Sequence, residues 1–208
     1  MNKKMKEYSQ YEKDQHDLDR YLRMSHTKEE IGKFYERYIG YLFENENYRV
    51  TYTGIRDELE DKGRDLIAKK GNEILVIQCK NWSQKNLIRE KHIYQLFGTT
   101  SHIQLENPQK KVNAIFITTS ELSAYATQAS EALNVQVRII PFNKNYPLVK
   151  CNINKKGKLY HLPFDDEATY DNIEISRTQG EYFVKTIDEA IKLGFESPKL
   201  ARACKKIA

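Results

Sequence analysis

The feature that most constrains the fold is an apolar segment in the middle of the chain, Glu73 to Lys80. Hydrophobic residues occupy both faces that an extended segment would present. Ile74 and Val76 fall on one face, and Leu75 and Ile77 fall on the other. Because a strand of this kind has to be covered on both sides, we predict that it is the central strand of a sheet between two layers.

A second strand is predicted just before it, at Arg64–Lys69, so that the two strands would form a hairpin. If Gly71-Asn72 is a two-residue turn, Lys70 pairs with Glu73, which fixes the register of the two strands. A three-residue turn or a bulge would shift this register.

The register determines which polar side chains meet near the end of the hairpin. It places Asp65 opposite Gln78, and Lys80 on the same face as Gln78 because side chains alternate along a strand. Isolated polar groups at the end of a buried strand are costly, which indicates that they have a function. The purely structural alternatives are that Asp65 and Lys80 form an exposed ion pair and that the Gln78 side chain only satisfies backbone groups at the strand end.

An amphipathic helix is predicted before the hairpin, starting at the capping box of Thr27 and Glu30. Its apolar stripe comprises Ile31, Phe34, Tyr35, Tyr38, Ile39, Leu42 and Phe43. Glu36 lies at the margin of this stripe, between Gly32 and Gly40. Small residues allow that edge of the helix to approach another element closely, so the carboxylate can face a site or, alternatively, water.

The remaining pattern completes an α/β domain at residues 27–141, with a mixed β-sheet flanked by helices. Its other predicted elements are strands at Tyr48–Thr53, Val112–Thr118 and Val135–Ile140, an acidic loop at Gly54–Gly63, and helices at Leu87–Leu105 and Glu121–Leu133. Residues 1–26 are expected to be a helical or flexible extension, and Asn143 to Leu148 a linker. Residues 149–208 are expected to form a small α+β module.

Composition leaves several classes of function open. The 34 basic and 29 acidic residues give a net charge of +5, which is compatible with nucleic acid but does not establish it. The three cysteines have no metal-like spacing and indicate a reducing compartment. The sequence contains no apolar run of the ~20 residues that a membrane span needs and no secretory signal at its N-terminus, so we expect a cytoplasmic protein without a membrane partner.

The polar cluster suits phosphodiester hydrolysis. That reaction needs an activated water and neutralisation of charge on the phosphate, and a divalent ion can serve both needs. Mg²⁺ prefers oxygen ligands and one or two carboxylates. Asp65 and Gln78 offer such oxygens, Lys80 offers a compact positive charge, and Glu36 offers a further ligand or a base.

This constellation resembles the PD-(D/E)xK nuclease superfamily, in particular its Mrr-like restriction endonuclease branch, in which glutamine replaces the middle acid. The matching residues over about 28–141 are Gly32, Glu36, Asp61, Gly63, Asp65, Gln78, Lys80, Trp82, Gln95-Leu96-Phe97-Gly98 and Ile117 to Ala129. Two departures are Arg64, where the pattern usually has an aliphatic residue, and the longer loop at 54–63.

The resemblance implies roles for single residues. Asp65 would ligate the metal, Gln78 would take the place of the second acid, Lys80 would be catalytic, and Glu36 would match the helix acid. Asp61 is expected to be a turn residue rather than a ligand. The implied cofactor is Mg²⁺, with Mn²⁺ as a substitute.

Residues after the hairpin are candidates for DNA contacts. The alternative interpretation, which is the more common one, is that they form a basic face exposed to solvent. These candidates are Lys85, Arg89, Lys91 and Gln95. Cleavage of both strands by a chain with one site calls for a second copy, so the resemblance also implies a homo-oligomer. The expected function is metal-dependent DNA cleavage in bacterial or phage-related restriction or defence. The alternatives are a junction-type nuclease and a catalytically silent nucleic-acid-binding or assembly subunit.

The C-terminal segment resembles a small module attached to bacterial nucleases and cell-surface proteins. The resemblance rests on Tyr160-His161-Leu162-Pro163, Tyr170, Gly180-Glu181-Tyr182-Phe183, Glu189-Ala190 and Gly194-Phe195. Target recognition or assembly with a protein partner, through this module or the N-terminal extension, is one expectation. A packing unit that stabilises the fold is the other.

Overall fold

The computed structural model describes residues 9–53, 63–83, 86–165 and 170–199. Its contacts divide the chain into two compact units. One unit is His26–Asn145, and the other joins Met1–Ser25 with Tyr146–Ala208. Within the described residues, no helix is both long and apolar enough to span a bilayer.

The helices and strands follow the predicted order. In chain order they are α1 (Gln10–Arg23), α2 (Lys28–Asn45), β1 (Arg49–Tyr52), β2 (Leu66–Lys70), β3 (Glu73–Lys80), α3 (Glu90–Glu106), β4 (Lys111–Thr118), α4 (Ala124–Ala132), β5 (Gln136–Ile139), β6 (Val149–Asn154), β7 (Gly157–His161), β8 (Tyr182–Val184) and α5 (Ile187–Lys192). A short 3₁₀ turn, Arg177–Gln179, precedes β8.

The unit of residues 26–145 is built on a five-stranded mixed sheet of order β1-β2-β3-β4-β5. The pairs β1–β2 and β2–β3 are antiparallel, whereas β3–β4 and β4–β5 are parallel. Six consecutive residues of β3, from Ile74 to Cys79, are buried. The predictions of a mixed α/β sheet and of a central, doubly covered strand are confirmed.

The predicted turn between β2 and β3 is also confirmed. Lys70 pairs with Glu73, and the same register runs on to the pair of Leu66 with Ile77. Gly71 has a φ of 56°, in the region that glycine enters without strain, and a glycine at the first position of a two-residue loop suits a type II′ turn.

Helix α2 begins at the predicted capping box. Thr27 accepts from the Glu30 amide, and Glu30 accepts from the Thr27 amide at 2.7 Å. The predicted close approach occurs at Gly40, where an added Cβ would overlap the ring of Tyr52 in β1, but not at Gly32, where space is open. The Tyr52 hydroxyl donates to Glu44, a buried acid that the apolar stripe did not indicate.

The face of the sheet that carries α3 and α4 holds a continuous apolar core. Its buried residues are Ile74, Val76, Ile88, Ile93, Leu96, Ile103, Ala114, Phe116, Ala126, Ala129 and Val135. Helix α2 packs against β1, β2 and β3. The strand that ends in Lys80 is thus held between helices, which makes its carboxyl end a rigid platform.

In the second unit, helix α1 packs with the C-terminal segment. The sheet there has the order β7-β6-β8. Asp14 in α1 is 1% exposed and accepts from the Tyr160 hydroxyl at 2.6 Å and from the Ser197 hydroxyl at 3.1 Å. Residues 10–23 of the N-terminal extension are therefore helical and docked.

Candidate active site

The chain leaves the regular ladder at Asp65. The Asp65 amide donates to the carbonyl of Ile77 at 2.8 Å, one residue out of step with the register of β2 and β3. Its carbonyl accepts from Thr53 on the other side at 2.8 Å. Because of this bulge-like irregularity, the prediction that Asp65 forms a regular pair with Gln78 is wrong, although the register up to Leu66 is as predicted.

The irregularity turns the Asp65 side chain toward the end of β3. Its Oδ2 atom accepts a hydrogen bond of 2.6 Å from the backbone amide of Cys79. Hydrogen bonds from an amide to a carboxylate are short and strong, so this contact fixes the half-buried acid beside the strand that carries Gln78 and Lys80.

Gln78 is buried among apolar residues. Its side chain is 2% exposed, and it lies beside Phe116 in the parallel pair of β3 and β4. The side-chain carbonyl oxygen, Oε1, is buried and accepts no hydrogen bond from any residue that the structure describes. A buried acceptor without a donor costs about 1–3 kcal/mol, which a cation or a bound water can recover.

Lys80 is the last residue of β3 and is half-buried. It pairs with Thr118 of the parallel strand β4, and its carbonyl accepts from the Thr119 amide at 3.1 Å. Alternation along β3 places its side chain on the same face as that of Gln78, as predicted.

Glu36 comes from helix α2 and is half-buried, with its Oε2 atom fully buried. Its charge acts on Cys79, the residue that follows Gln78 in β3. Burial raises the pKa of the Cys79 thiol, the charges of Asp65 and then Glu36 raise it further, and Lys80 lowers it. Three of the four predicted site residues therefore act on one thiol, and the fourth, Gln78, precedes it in sequence.

Gln95 on α3 lies against the segment that leads into Asp65. Gly63 has a φ of 65°, and a Cβ added there would overlap the Gln95 side chain, with Cδ only 2.6 Å away. The predicted DNA contacts Arg89 and Lys91 lie at the start of α3, and both are exposed. Lys85 and Asp61 lie outside the described residues.

A second group of contacting residues at this end of the sheet was not predicted from the sequence. The Thr119 and Ser120 hydroxyls donate to the Trp82 carbonyl at 2.8 and 3.0 Å. The Trp82 ring meets His92 edge-on at 5.3 Å. The hydroxyl-bearing residues that directly follow β4 could have predicted this group. The carboxyl ends of the parallel strands β3 and β4 lie at the same edge of the sheet, so residues that follow the two strands come close together.

The donor set fits a divalent cation that prefers oxygen. No group of three or more His, Cys, Asp or Glu side chains gathers among the described residues, so a site made of such ligands alone is not present there. The acid just before β2, the buried amide carbonyl and the helix acid offer the oxygen atoms that such a cation prefers.

A comparison with models of known protein families identifies one family. Residues 28–144 match Mrr_cat, a restriction endonuclease family. Among curated proteins, no sequence matches the chain.

Two solved structures are similar at low identity. The first, a protein of unknown function called AF1548, is 14% identical with a TM-score of 0.40, and the similarity covers 50% of this chain and 55% of that one. The second, the MspJI restriction endonuclease in complex with a 27-mer oligonucleotide, is 11% identical with a TM-score of 0.39. That similarity covers 66% of this chain and 31% of MspJI, so the chain spans about half of the first and a third of the second.

The family match covers more than half of the chain, and it coincides with the unit that carries the mixed sheet and the cluster at Asp65. The chain therefore belongs to the Mrr_cat family of restriction endonucleases and carries a nuclease domain of the PD-(D/E)xK type at residues 28–144.

Proposed function

We propose that this domain is a Mg²⁺-dependent endonuclease that hydrolyses phosphodiester bonds of DNA, with Mn²⁺ as a substitute ion. The observation that carries the proposal is the hydrogen bond between the Asp65 carboxylate and the Cys79 amide, one residue after Gln78, whose side-chain carbonyl is buried and accepts no hydrogen bond from the described residues. Both oxygens are of the kind that Mg²⁺ selects.

Asp65 and Gln78 would hold the cation, with Glu36 as a further ligand through water. When bound, the cation supplies charge that neutralises the scissile phosphate and lowers the pKa of a water. The hydrogen bond from Cys79 keeps the Asp65 carboxylate oriented before substrate arrives, which reduces the reorganisation needed for binding. Burial of Gln78 keeps competing water away from its carbonyl.

Lys80 would add a second positive charge, beside that of the cation, at the scissile phosphate. Its ammonium group stabilises negative charge that develops on the phosphate oxygens, because a fixed charge in a half-buried position is screened less than one in water. Glu36, from helix α2, would accept a proton from the attacking water. Both side chains act electrostatically on the same strand end.

One such site cuts one strand. Cleavage of duplex DNA at both strands therefore requires two copies of the chain, and we infer a homo-oligomer that works in restriction or defence against foreign DNA. The length of protein outside residues 28–144 leaves room for a target-recognition or assembly role of the second unit.

The test is plasmid cleavage by the purified full chain. Supercoiled DNA should be nicked or linearised with Mg²⁺ or Mn²⁺ and remain intact with EDTA. Asp65→Ala and Lys80→Ala should each lower the rate by at least about 100-fold, because each removes a charge that acts in the transition state. Lys69→Ala, at an exposed lysine of β2, is the matched control and should cleave at the wild-type rate. Cleavage that persists in both site variants would sink the proposal.

A further inference from the structure

Trp82 combines exposure with a fixed backbone at the edge of the proposed site. The residue is 36% exposed, so part of the indole is open to solvent. The Thr119 and Ser120 hydroxyls both donate to its carbonyl, which ties the segment after β3 to the segment after β4. The indole is thus held at the surface by the fold itself.

The ring contacts place the indole on a definite side of the sheet. Trp82 meets the His92 ring edge-on at 5.3 Å with an interplanar angle of 83°, and His92 lies 6.4 Å from the Phe116 ring. Phe116 is the parallel-strand neighbour of Gln78. The indole therefore lies on the α3 side, at the same strand ends as Gln78 and Lys80 and only two residues beyond Lys80.

A partly exposed indole beside the proposed site could bind a nucleobase by stacking. Stacking of a base on an aromatic side chain contributes substantially to affinity and tolerates any base identity, because every base has a π-face. Bases inside a duplex have both faces covered by their neighbours. Only a base that has left the stack, in a single strand, a gap or a flipped-out position, presents a face to the protein.

We propose that Trp82 stacks on an unstacked base next to the phosphate that is cut, so that the domain engages DNA in which at least one nucleotide has left the duplex. The inference rests on the proposed nuclease function. It adds a feature of the substrate, a locally unpaired nucleotide, that the cation and Lys80 do not select.

The test uses the fact that Trp82 is the only tryptophan of the chain. Its emission is followed while the full-length protein is titrated with a single-stranded oligonucleotide and with the matching duplex, with Ca²⁺ in place of Mg²⁺ so that cleavage does not intervene. The single strand should quench the emission to saturation, and it should bind at least about tenfold more tightly than the intact duplex. Affinity of variants is measured by anisotropy of a labelled single strand.

Trp82→Ala should weaken binding of the single strand by about tenfold or more, whereas Trp82→Phe, which keeps an aromatic face, should stay within about threefold of wild type. Leu105→Ala is the control for loss of an exposed apolar side chain, because Leu105 is 79% exposed at the far end of α3. Quenching in the wild type reports on stacking even where Trp82→Ala affects folding.

The outcomes separate the two proposals. If neither DNA binds to the wild type, the proposed function fails as a whole. If DNA binds but the emission does not change and Trp82→Ala binds as tightly as wild type, the nuclease proposal survives and the stacking role is overturned. Equal affinity for the duplex and the single strand would overturn the substrate preference.

Discussion

The Asp65 carboxylate accepts a 2.6 Å hydrogen bond from the backbone amide of Cys79, across the point at which the ladder between β2 and β3 becomes irregular. Strand pairing alone would leave Asp65 as one more member of a regular hairpin. The displaced amide, which donates to Ile77, lets the side chain reach along the neighbouring strand. A local irregularity thereby brings an acid to the end of the most buried strand of the sheet.

The first prediction concerns the amide of Gln78. Gln78→Glu should tighten Mg²⁺ binding in the absence of DNA by at least about tenfold, because a second negative charge next to Asp65 attracts the cation more strongly than a neutral carbonyl. Isothermal titration calorimetry measures the effect. Gln128→Glu, the same substitution at an exposed position of α4, is the control and should leave the affinity unchanged. Identical affinities for wild type and Gln78→Glu would count against a cation at this position.

The second prediction compares two glycines of α2. Gly40→Ala should lower the free energy of unfolding by about 1–3 kcal/mol, since the new Cβ overlaps the Tyr52 ring and forces the helix away from β1. Gly32→Ala has open space and should be neutral or stabilise by up to about 1 kcal/mol, because alanine favours the helix. Urea unfolding of the two variants measures both effects, and equal changes would contradict the close contact.

The third prediction concerns the buried hydrogen bonds that Asp14 accepts. Asp14→Ala should destabilise the unit that contains it by roughly 2–4 kcal/mol, because the buried hydroxyls of Tyr160 and Ser197 lose their acceptor. Asp19→Ala, at a half-exposed position of the same helix, should change stability by less than about 0.5 kcal/mol. Thermal unfolding followed by tyrosine absorbance detects the difference, and a wild-type melting temperature for Asp14→Ala would show that α1 is not docked there.

The fourth prediction concerns pH. Burial and then the charge of Lys150 lower the pKa of His161 from 6.5 to about 4, so the folded state keeps this ring neutral where the unfolded state already binds a proton. Stability should therefore fall as pH drops from about 6.5 to about 4, by an amount of the order of 1–2 kcal/mol once partial exposure is allowed for.

Urea midpoints measured across this range should move down with pH in the wild type. His161→Gln, which keeps a donor for Asn152, should flatten the curve over the same interval. A slope that is unchanged in the variant would assign the pH dependence to other groups.

Local signals explain what could be predicted from the sequence. Gly71-Asn72 determined the hairpin and its register to Leu66, and Thr27 with Glu30 determined the start of α2, because turn and cap chemistry act within a few residues. The alternation of β3 placed Gln78 and Lys80 on one face. These features need no knowledge of distant contacts.

The departure at Asp65 has a different origin. It lies in the hydrogen bond from the Asp65 amide to the Ile77 carbonyl, which is one residue out of register with β2 and β3, whereas the bond from Thr53 to the Asp65 carbonyl continues the regular pairing of β1 and β2. No residue pattern in the sequence specifies such a shift. The bond between Asp14 and Tyr160 joins residues 146 positions apart. The buried acid Glu44 was missed for the same reason, since its partner Tyr52 belongs to another element.

The most direct test of the central claim is to locate the cation. In an isotope-labelled protein, substoichiometric Mn²⁺ should broaden the amide resonances of Asp65, Gln78 and Cys79 first, because paramagnetic relaxation falls steeply with distance. The broadening should disappear in Asp65→Ala and persist in Lys69→Ala. Broadening that centres on the opposite end of β3, near Glu73, or that survives in Asp65→Ala, would contradict the account.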